Sequence, residues 1–291
     1  MTKRKKVKLR VDRIILVVIL LILVIFGGYT VISNLMKPKV DTPPVVDNPD
    51  DQQPEDTFSA LYYYEAENEE RYVAYQQKNP ELTKADVVWR VNANLDKEFY
   101  TDIILIEDTS SSLLLVNKYY QLPQNYTPSN LESLANGKLV TQETKVAFEA
   151  MQEAANKDNV TLSVISGYRS YDYQSQLYKG YLEKNTQEEV DTFSARPGHS
   201  EHQTGQAIDI AGANGNYLEF GGTNESKWIE ENAYKYGFIV RYQENIVQFT
   251  GYKYEPWHLR YVGVEIATDM HEKGITILEE YIVKYIDHKP E

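Results

Sequence analysis

The longest uninterrupted apolar stretch of the chain lies near its N-terminus. Residues 14–32 read IILVVILLILVIFGGYTVI and contain no charged side chain. A helix of this length rises about 28 Å, close to the ~30 Å hydrocarbon core of a membrane. The pattern therefore predicts a single transmembrane anchor over residues 14–35, with a separate basic segment before it over residues 1–13.

The charges before the apolar stretch predict its orientation. Residues 1–13 hold seven basic side chains and one acid, and basic flanks stay on the cytoplasmic side of a membrane. We therefore expect a cytoplasmic N-terminus, a single pass through the cell membrane and an extracellular remainder. A cleaved signal peptide is the alternative, but it has a shorter apolar region and a cleavage site of small residues. Residues 33–37 (SNLMK) offer no such site.

The segment after the predicted anchor changes abruptly in composition. Residues 36–57 are rich in proline and aspartate and show no hydrophobic periodicity. Proline favours an extended backbone, and like charges repel one another. We interpret this segment as an extracellular linker, and residues 58–291 as one folded domain.

Alternating and helical periodicities recur throughout the predicted domain. They predict five helices over Glu65–Lys78, Thr83–Ala93, Thr141–Asn156, Tyr171–Lys184 and Glu225–Tyr236. They also predict strands over Leu113–Val116, Val160–Ile165, Gln206–Ile210, Phe238–Tyr242 and Leu259–Val262. Helices come first and are then interleaved with strands, which indicates an α+β fold.

Two of these helices allow more detailed predictions. In the third helix, the apolar residues Val146, Ala150, Met151 and Ala154 are expected to form the buried face. The fifth helix is expected to end at Gly237, because glycine adopts the left-handed conformation that closes many helices.

Composition excludes several classes of function. The net charge is −13 although the first residues are basic, so the body of the chain is strongly acidic and we expect no nucleic-acid partner. The chain contains no cysteine, which excludes disulfides, thiolate metal sites and a cysteine nucleophile. No serine is followed three positions later by lysine, which excludes a penicillin-binding serine carboxypeptidase.

Histidine and acidic residues in two stretches could form a metal site. Residues 200–209 (SEHQTGQAID) hold His202 and Asp209, and residues 255–258 (EPWH) hold Glu255 and His258. Catalytic zinc commonly takes three ligands from histidine and acidic side chains. Glu255 precedes a proline, which favours extended backbone, so this is not the single-helix zinc motif and the two stretches must meet in space.

Four blocks of sequence, in this order, resemble the VanY-type D-alanyl-D-alanine carboxypeptidases, a family of zinc peptidases that includes LdcB-type L,D-carboxypeptidases. They are Ser166–Ser170 (SGYRS), Gln174, Ser200–Asp209 and Glu255–Tyr261 (EPWHLRY). The resemblance covers roughly residues 71–268. It implies a small antiparallel sheet with flanking helices, a fold shared with Hedgehog domains.

The resemblance also implies roles for individual residues. His202, Asp209 and His258 would ligate one Zn²⁺ per chain. Glu255 would act as the general base, and Arg169 would stabilise the oxyanion with its permanent charge.

The same resemblance implies which residues contact the substrate and where His199 lies. Gln174 and Ser200 would hold the C-terminal residue of the substrate. His199 would lie in the approach loop without binding metal. His271 and His288 lie in a charge-rich C-terminal stretch and are expected to be solvated.

These expectations combine into one function. The chain is expected to be a membrane-anchored zinc carboxypeptidase that removes the C-terminal D-alanine from peptidoglycan stem peptides. One alternative is an L,D-carboxypeptidase acting on tetrapeptide stems, because both subfamilies share these motifs. Another is a non-catalytic module that binds the cell wall, although Glu255 and all three expected ligands are present.

Overall fold

Side-chain caps define where most helices begin in the computed structural model, which describes residues 57–288. A threonine or serine side chain accepts a hydrogen bond from the backbone N–H three residues later, which satisfies a donor at the helix start that would otherwise lack a partner. The capping residues are Thr83, Thr141, Ser170, Thr186 and Thr223. The short helix that follows Thr186 also carries the reciprocal bond from Glu189, a complete capping box.

The described residues form nine α-helices and several short 3-10 turns. The helices are α1 (Glu69–Lys78), α2 (Lys84–Asn92), α3 (Gln142–Lys157), α4 (Tyr171–Leu182), α5 (Gln187–Asp191), α6 (Asn224–Asn232), α7 (Val247–Thr250), α8 (Val264–Glu272) and α9 (Leu278–Tyr281). A π-helical turn, Ile282–Asp287, continues α9.

Eight strands form three sheets within the described residues. The strands are β1 (Ile104–Leu105), β2 (Tyr120–Gln121), β3 (Leu131–Ser133), β4 (Leu139–Thr141), β5 (Ser163–Ser166), β6 (Ala207–Ala211), β7 (Phe238–Tyr242) and β8 (Glu255–Tyr261). The central sheet has the order β5-β6-β8-β7 and is antiparallel throughout. The other two sheets are the pairs β1-β2 and β3-β4.

The main hydrophobic core lies between the central sheet and its flanking helices. It combines Phe148 and Met151 of α3 with Ile208 and Ile210 of β6, and it extends to Ile229 of α6. A second cluster, which includes residues of α1 and α2, covers the N-terminal part of the domain. This close packing fixes the position of the sheet, whose strands carry the polar residues described below.

Most of the predicted elements are present in the structure. All five predicted helices form, with ends shifted by a few residues, and the strand Phe238–Tyr242 has the predicted bounds. The fifth helix continues from α6 into a 3-10 turn and ends at Gly237, whose φ of +83° is the predicted left-handed conformation. The predicted α+β fold with a small antiparallel sheet and flanking helices is confirmed.

Two local predictions are wrong. Leu113–Val116 is not a strand. The Leu114 carbonyl accepts a hydrogen bond from the Arg260 side chain, whereas in a strand it would accept one from the backbone of a neighbouring strand. On α3, Val146 is 62% exposed and Ala150 is also exposed, whereas Phe148 packs inward with Met151. Thr144 and Ala155 are the other buried residues of this helix. The buried face is therefore rotated around the helix axis from the predicted one.

The predictions for residues 1–56 lie outside the described part of the chain. These are the basic segment, the anchor over residues 14–35 and almost the whole linker. Within residues 57–288, no helix combines the length and the apolar character needed to cross a membrane.

Candidate active site

The strand register of the central sheet places three polar residues in one row. Ser166 of β5 is paired with Asp209 of β6, and Asp209 is in turn paired with His258 of β8. Directly opposed residues of antiparallel strands project from the same face. The two stretches that the sequence separates by almost fifty residues therefore meet at this row.

His202 reaches the row from a short 3-10 turn, Glu201–Thr204, that leads into β6. The turn ends at Gly205, whose φ is +70°. A Cβ atom there would lie 2.9 Å from the Leu131 side chain and 3.1 Å from that of Thr141. Glycine therefore permits both the left-handed bend and the close approach that brings His202 back over the sheet.

His202, Asp209 and His258 have the donor set of a zinc site. All three are buried, and one potential ligand atom from each lies within 4.8 Å of the other two. Nδ1 of His202 donates to the carbonyl oxygen of Gly167 over 2.8 Å, because a carbonyl can only accept. Burial lowers the pKa of His202, and in the neutral ring Nε2 keeps its lone pair, 3.2 Å from the Asp209 carboxylate. The residues present fit a zinc ion with histidine and carboxylate ligands.

The charge of this cluster also favours a cation. Burial alone lowers the pKa of His258, but hydrogen bonds to the carboxylates of Asp209 and Glu201 outweigh it and raise that pKa to about 9. Burial alone raises the pKa of Asp209, but His202, His258 and Arg169 hold it well below its usual range. The negative potential that stabilises a protonated imidazole would equally stabilise a metal cation.

Glu255 lies at the start of β8, where it pairs with Tyr242 of β7. Burial raises the pKa of Glu255 to about 7, and the nearby carboxylate of Asp209 adds to that effect. A general base works best when its pKa lies near the working pH. Glu255 is therefore suited to accept a proton at neutral pH and to release it again.

Arg169 follows β5 and points back toward the same row. Its Nε donates to the Ser166 hydroxyl over 2.9 Å, and one terminal nitrogen forms a short ion pair with Asp209. A guanidinium fixed at two points provides a permanent positive charge beside the cluster.

Gln174 and Ser200 lie with the other predicted residues along one cavity of about 340 Å³. The Gln174 amide donates to the carbonyl of Ala195 over 2.8 Å, and its buried Oε1 has no hydrogen-bond partner among residues 57–288. That oxygen is thus free to accept a bond from a ligand. Aromatic side chains of Tyr217 and Trp257 also line this cavity.

All seven residues expected at the site line this single cavity. Two other clefts, of about 560 and 830 Å³, contain none of them. The sequence blocks predicted that these seven residues would lie together. The roles of the individual residues remain predictions.

The other histidines lie away from the cluster. Nδ1 of the buried His199 is 2.8 Å from the carbonyl oxygen of Asn117. His271 is exposed and stacks on Tyr234 at 3.7 Å. The expectation that His271 is solvated is therefore confirmed, whereas His288 is only partly exposed and lies 3.4 Å from Glu65.

A buried ion cluster that the sequence patterns did not predict lies beneath the site. Glu201 contacts His258 and also two arginines, Arg241 of β7 and Arg260 of β8. Arg241 continues to Glu279 of α9. A signal was present, because each arginine lies within a strand among apolar and aromatic neighbours, where a charged side chain is unexpected.

Several known proteins are similar to this chain. A family model described as VanY, D-alanyl-D-alanine carboxypeptidase, matches residues 137–264. YodJ of Bacillus subtilis (strain 168) is 40% identical over 209 residues, which cover 66% of this chain and 76% of YodJ.

Two solved structures are also similar. The LdcB LD-carboxypeptidase, whose structure concerns peptidoglycan recognition, has 39% identity and a TM-score of 0.58, and the match covers 65% of this chain and 92% of that one. A vancomycin-resistance D,D-pentapeptidase VanY, a mutant in complex with Zn(II), has 35% identity and a TM-score of 0.51, with 59% and 98% coverage.

Proposed function

Because the chain belongs to the VanY family of D-alanyl-D-alanine carboxypeptidases, we propose that it uses zinc to remove the C-terminal D-alanine from peptidoglycan stem peptides. One observation carries the proposal. Three buried potential metal ligands share a cavity with Glu255 and Arg169. A non-catalytic module that binds the cell wall would need neither the base nor a fixed guanidinium.

His202, Asp209 and His258 would hold the ion. Zinc supplies Lewis acidity, which polarises a carbonyl and makes a water acidic near neutral pH. Histidine nitrogens and a carboxylate oxygen suit zinc, and three protein ligands leave room for a further ligand.

Glu255 would move the proton. Its carboxylate accepts a proton from the attacking water and then donates that proton to the leaving amine, so that D-alanine departs with a neutral amino group. Burial raises the pKa of Glu255 to about 7, and a nearby zinc cation would lower it. A pKa between that value and the ordinary one of glutamate allows the carboxylate to accept a proton and to return it.

Arg169, Gln174 and Ser200 would orient the substrate. Arg169 places positive charge where negative charge develops on the scissile carbonyl oxygen. Gln174 and Ser200, both buried at the cavity wall, would hold the C-terminal residue by hydrogen bonds.

An L,D-carboxypeptidase acting on tetrapeptide stems is the second candidate. It is favoured by the similarity to LdcB, at 39% identity and a TM-score of 0.58. The two activities differ in the configuration of the residue before the scissile bond and therefore in the shape of the cavity that accepts it.

Purified muropeptides distinguish these candidates. Incubation with the protein should shorten pentapeptide stems by one alanine, which mass spectrometry measures directly. Phenanthroline should abolish the reaction, and penicillin should leave it unchanged because the chain has no Ser-x-x-Lys motif. Shortening of tetrapeptides alone would instead establish the L,D activity, and no shortening of either would contradict the proposal.

We also propose that residues 14–35 anchor the domain on the outer side of the cell membrane. The support is the uncharged stretch over residues 14–32 and the basic residues before it. Protease added to intact protoplasts should release a fragment that begins within or after residues 36–57. Full protection of the domain would contradict this orientation. Spontaneous release of a chain shortened near Lys37 would indicate a cleaved signal peptide.

A further inference from the structure

A cluster of four buried charges lies directly behind one of the proposed metal ligands. Its members are Glu201, Arg241, Arg260 and Glu279, and each is no more than 2% exposed. Two acids and two arginines balance in charge. Glu279, in α9, lies beyond the region that the family model matches, which ends at residue 264.

The two oxygens of Glu201 have different partners. Oε1 accepts from Nε of Arg241 over 2.9 Å and lies 3.2 Å from Arg260. Oε2 lies 3.1 Å from Nε2 of His258. The arginines therefore hold one oxygen while the other faces the imidazole.

The contact between Glu201 and Nε2 of His258 determines which imidazole nitrogen is available to a metal. A carboxylate held by two arginines acts as an acceptor, so Nε2 carries the hydrogen. Nδ1, which lies 3.1 Å from Asp209, is then the nitrogen that faces the proposed metal ligands. Hydrogen bonds of this kind fix the orientation of a metal-binding imidazole and increase its basicity.

Stability alone does not account for the cluster. Burying ions is costly, and apolar side chains of similar volume often replace a buried ion pair without loss of stability. The four charged residues instead contact His258 through Glu201. They also connect Glu201 to α9, because Arg241 lies 2.6 Å from Glu279.

We infer that Glu201 is a positioning residue, which aligns His258 for metal binding and is itself held in place by Arg241 and Arg260. This inference rests on the proposed zinc-dependent function, and it assigns to Glu201 a role that is exerted through the His258 imidazole.

Two matched substitutions test the inference. Glu201→Gln removes the charge that faces His258. Glu279→Gln makes the same change in the same cluster, but Glu279 contacts Arg241 and Asn117, not His258. Zinc affinity, measured by competition with a chromogenic chelator, should fall about 10–100-fold for Glu201→Gln. For Glu279→Gln it should stay close to that of the parent, even where thermal stability falls.

The cobalt-substituted proteins give an independent readout. The visible absorption bands of Co²⁺ report the ligand geometry and should change in Glu201→Gln but not in Glu279→Gln. Should Glu201→Gln fail to fold, Glu201→Gln combined with Arg260→Met restores the charge balance and should show the same loss of zinc affinity.

The parent protein provides a test that needs no variant. Long-range ¹⁵N–¹H NMR of the zinc-loaded parent should show the His258 hydrogen on Nε2. A hydrogen on Nδ1, or equal zinc affinities for parent and Glu201→Gln, would overturn the inference. Equal losses in both single variants would do the same. A parent that binds no zinc would remove the proposed function as well, so the two failures are distinguishable.

Discussion

Replacing Glu255 by glutamine should lower turnover of stem peptides by at least about 10²–10⁴-fold, the usual contribution of general acid–base catalysis. The substitution keeps the size of the side chain but removes its ability to accept a proton. The three proposed zinc ligands are unchanged, so the variant should still hold close to one equivalent of zinc. Steady-state kinetics and elemental analysis of the same preparation measure the two quantities together.

Glu244→Gln is the matched control, because Glu244 is an exposed acid that does not line the cavity. It should retain parental turnover. Parental turnover in a zinc-loaded Glu255→Gln protein would show that another group is the base.

The pH dependence of the parent enzyme tests the same assignment. Catalysis requires the Glu255 carboxylate, so kcat/KM should fall as the pH drops through its pKa. Burial raises that pKa to about 7, and a nearby zinc cation would lower it. The acid limb of the profile should therefore lie at or below about pH 7, and the residual activity of Glu255→Gln should lack it. A limb well above pH 7 in the parent would contradict the assignment.

Replacing His202 by alanine should remove zinc and activity together. The substitution leaves two of three protein ligands in a chain that has no cysteine to take over. Zinc content after dialysis and hydrolysis of stem peptides should both fall to a small fraction of the parental values.

His199→Ala is the control for this prediction. His199 is as deeply buried as His202 and lies only three positions away. Its Nδ1 lies 2.8 Å from the carbonyl oxygen of Asn117, and it is not one of the three potential metal ligands. It should lower thermal stability while leaving zinc content close to one equivalent. Loss of zinc from His199→Ala, or full zinc retention by His202→Ala, would contradict the ligand assignment.

The residues expected at the site could be found from the sequence because their types and order are themselves informative. Histidine and carboxylate side chains in SEHQTGQAID and EPWH are ordinary zinc ligands, and a proline after Glu255 excludes a helix there. The helix starts at Thr83 and Thr141 were similarly readable, since both side chains cap helices by contacts only three residues away.

Predictions that depended on distant partners were less successful. Leu113–Val116 has the composition of a strand, but whether such a segment pairs depends on the edge it meets. The buried face of α3 also differs from the predicted one, because its position is determined by packing against the central sheet.

By itself, the sequence determined which chemical groups this protein has, in what order they occur, and where its helices begin, because these depend on residue type and near neighbours. Only the tertiary structure decided that Asp209 stands opposite His258 and that Glu201 lies between His258 and two arginines. Strand register and burial arise from pairing between segments far apart in the chain. The sequence contains the residues of such a pairing but does not state which of them will meet.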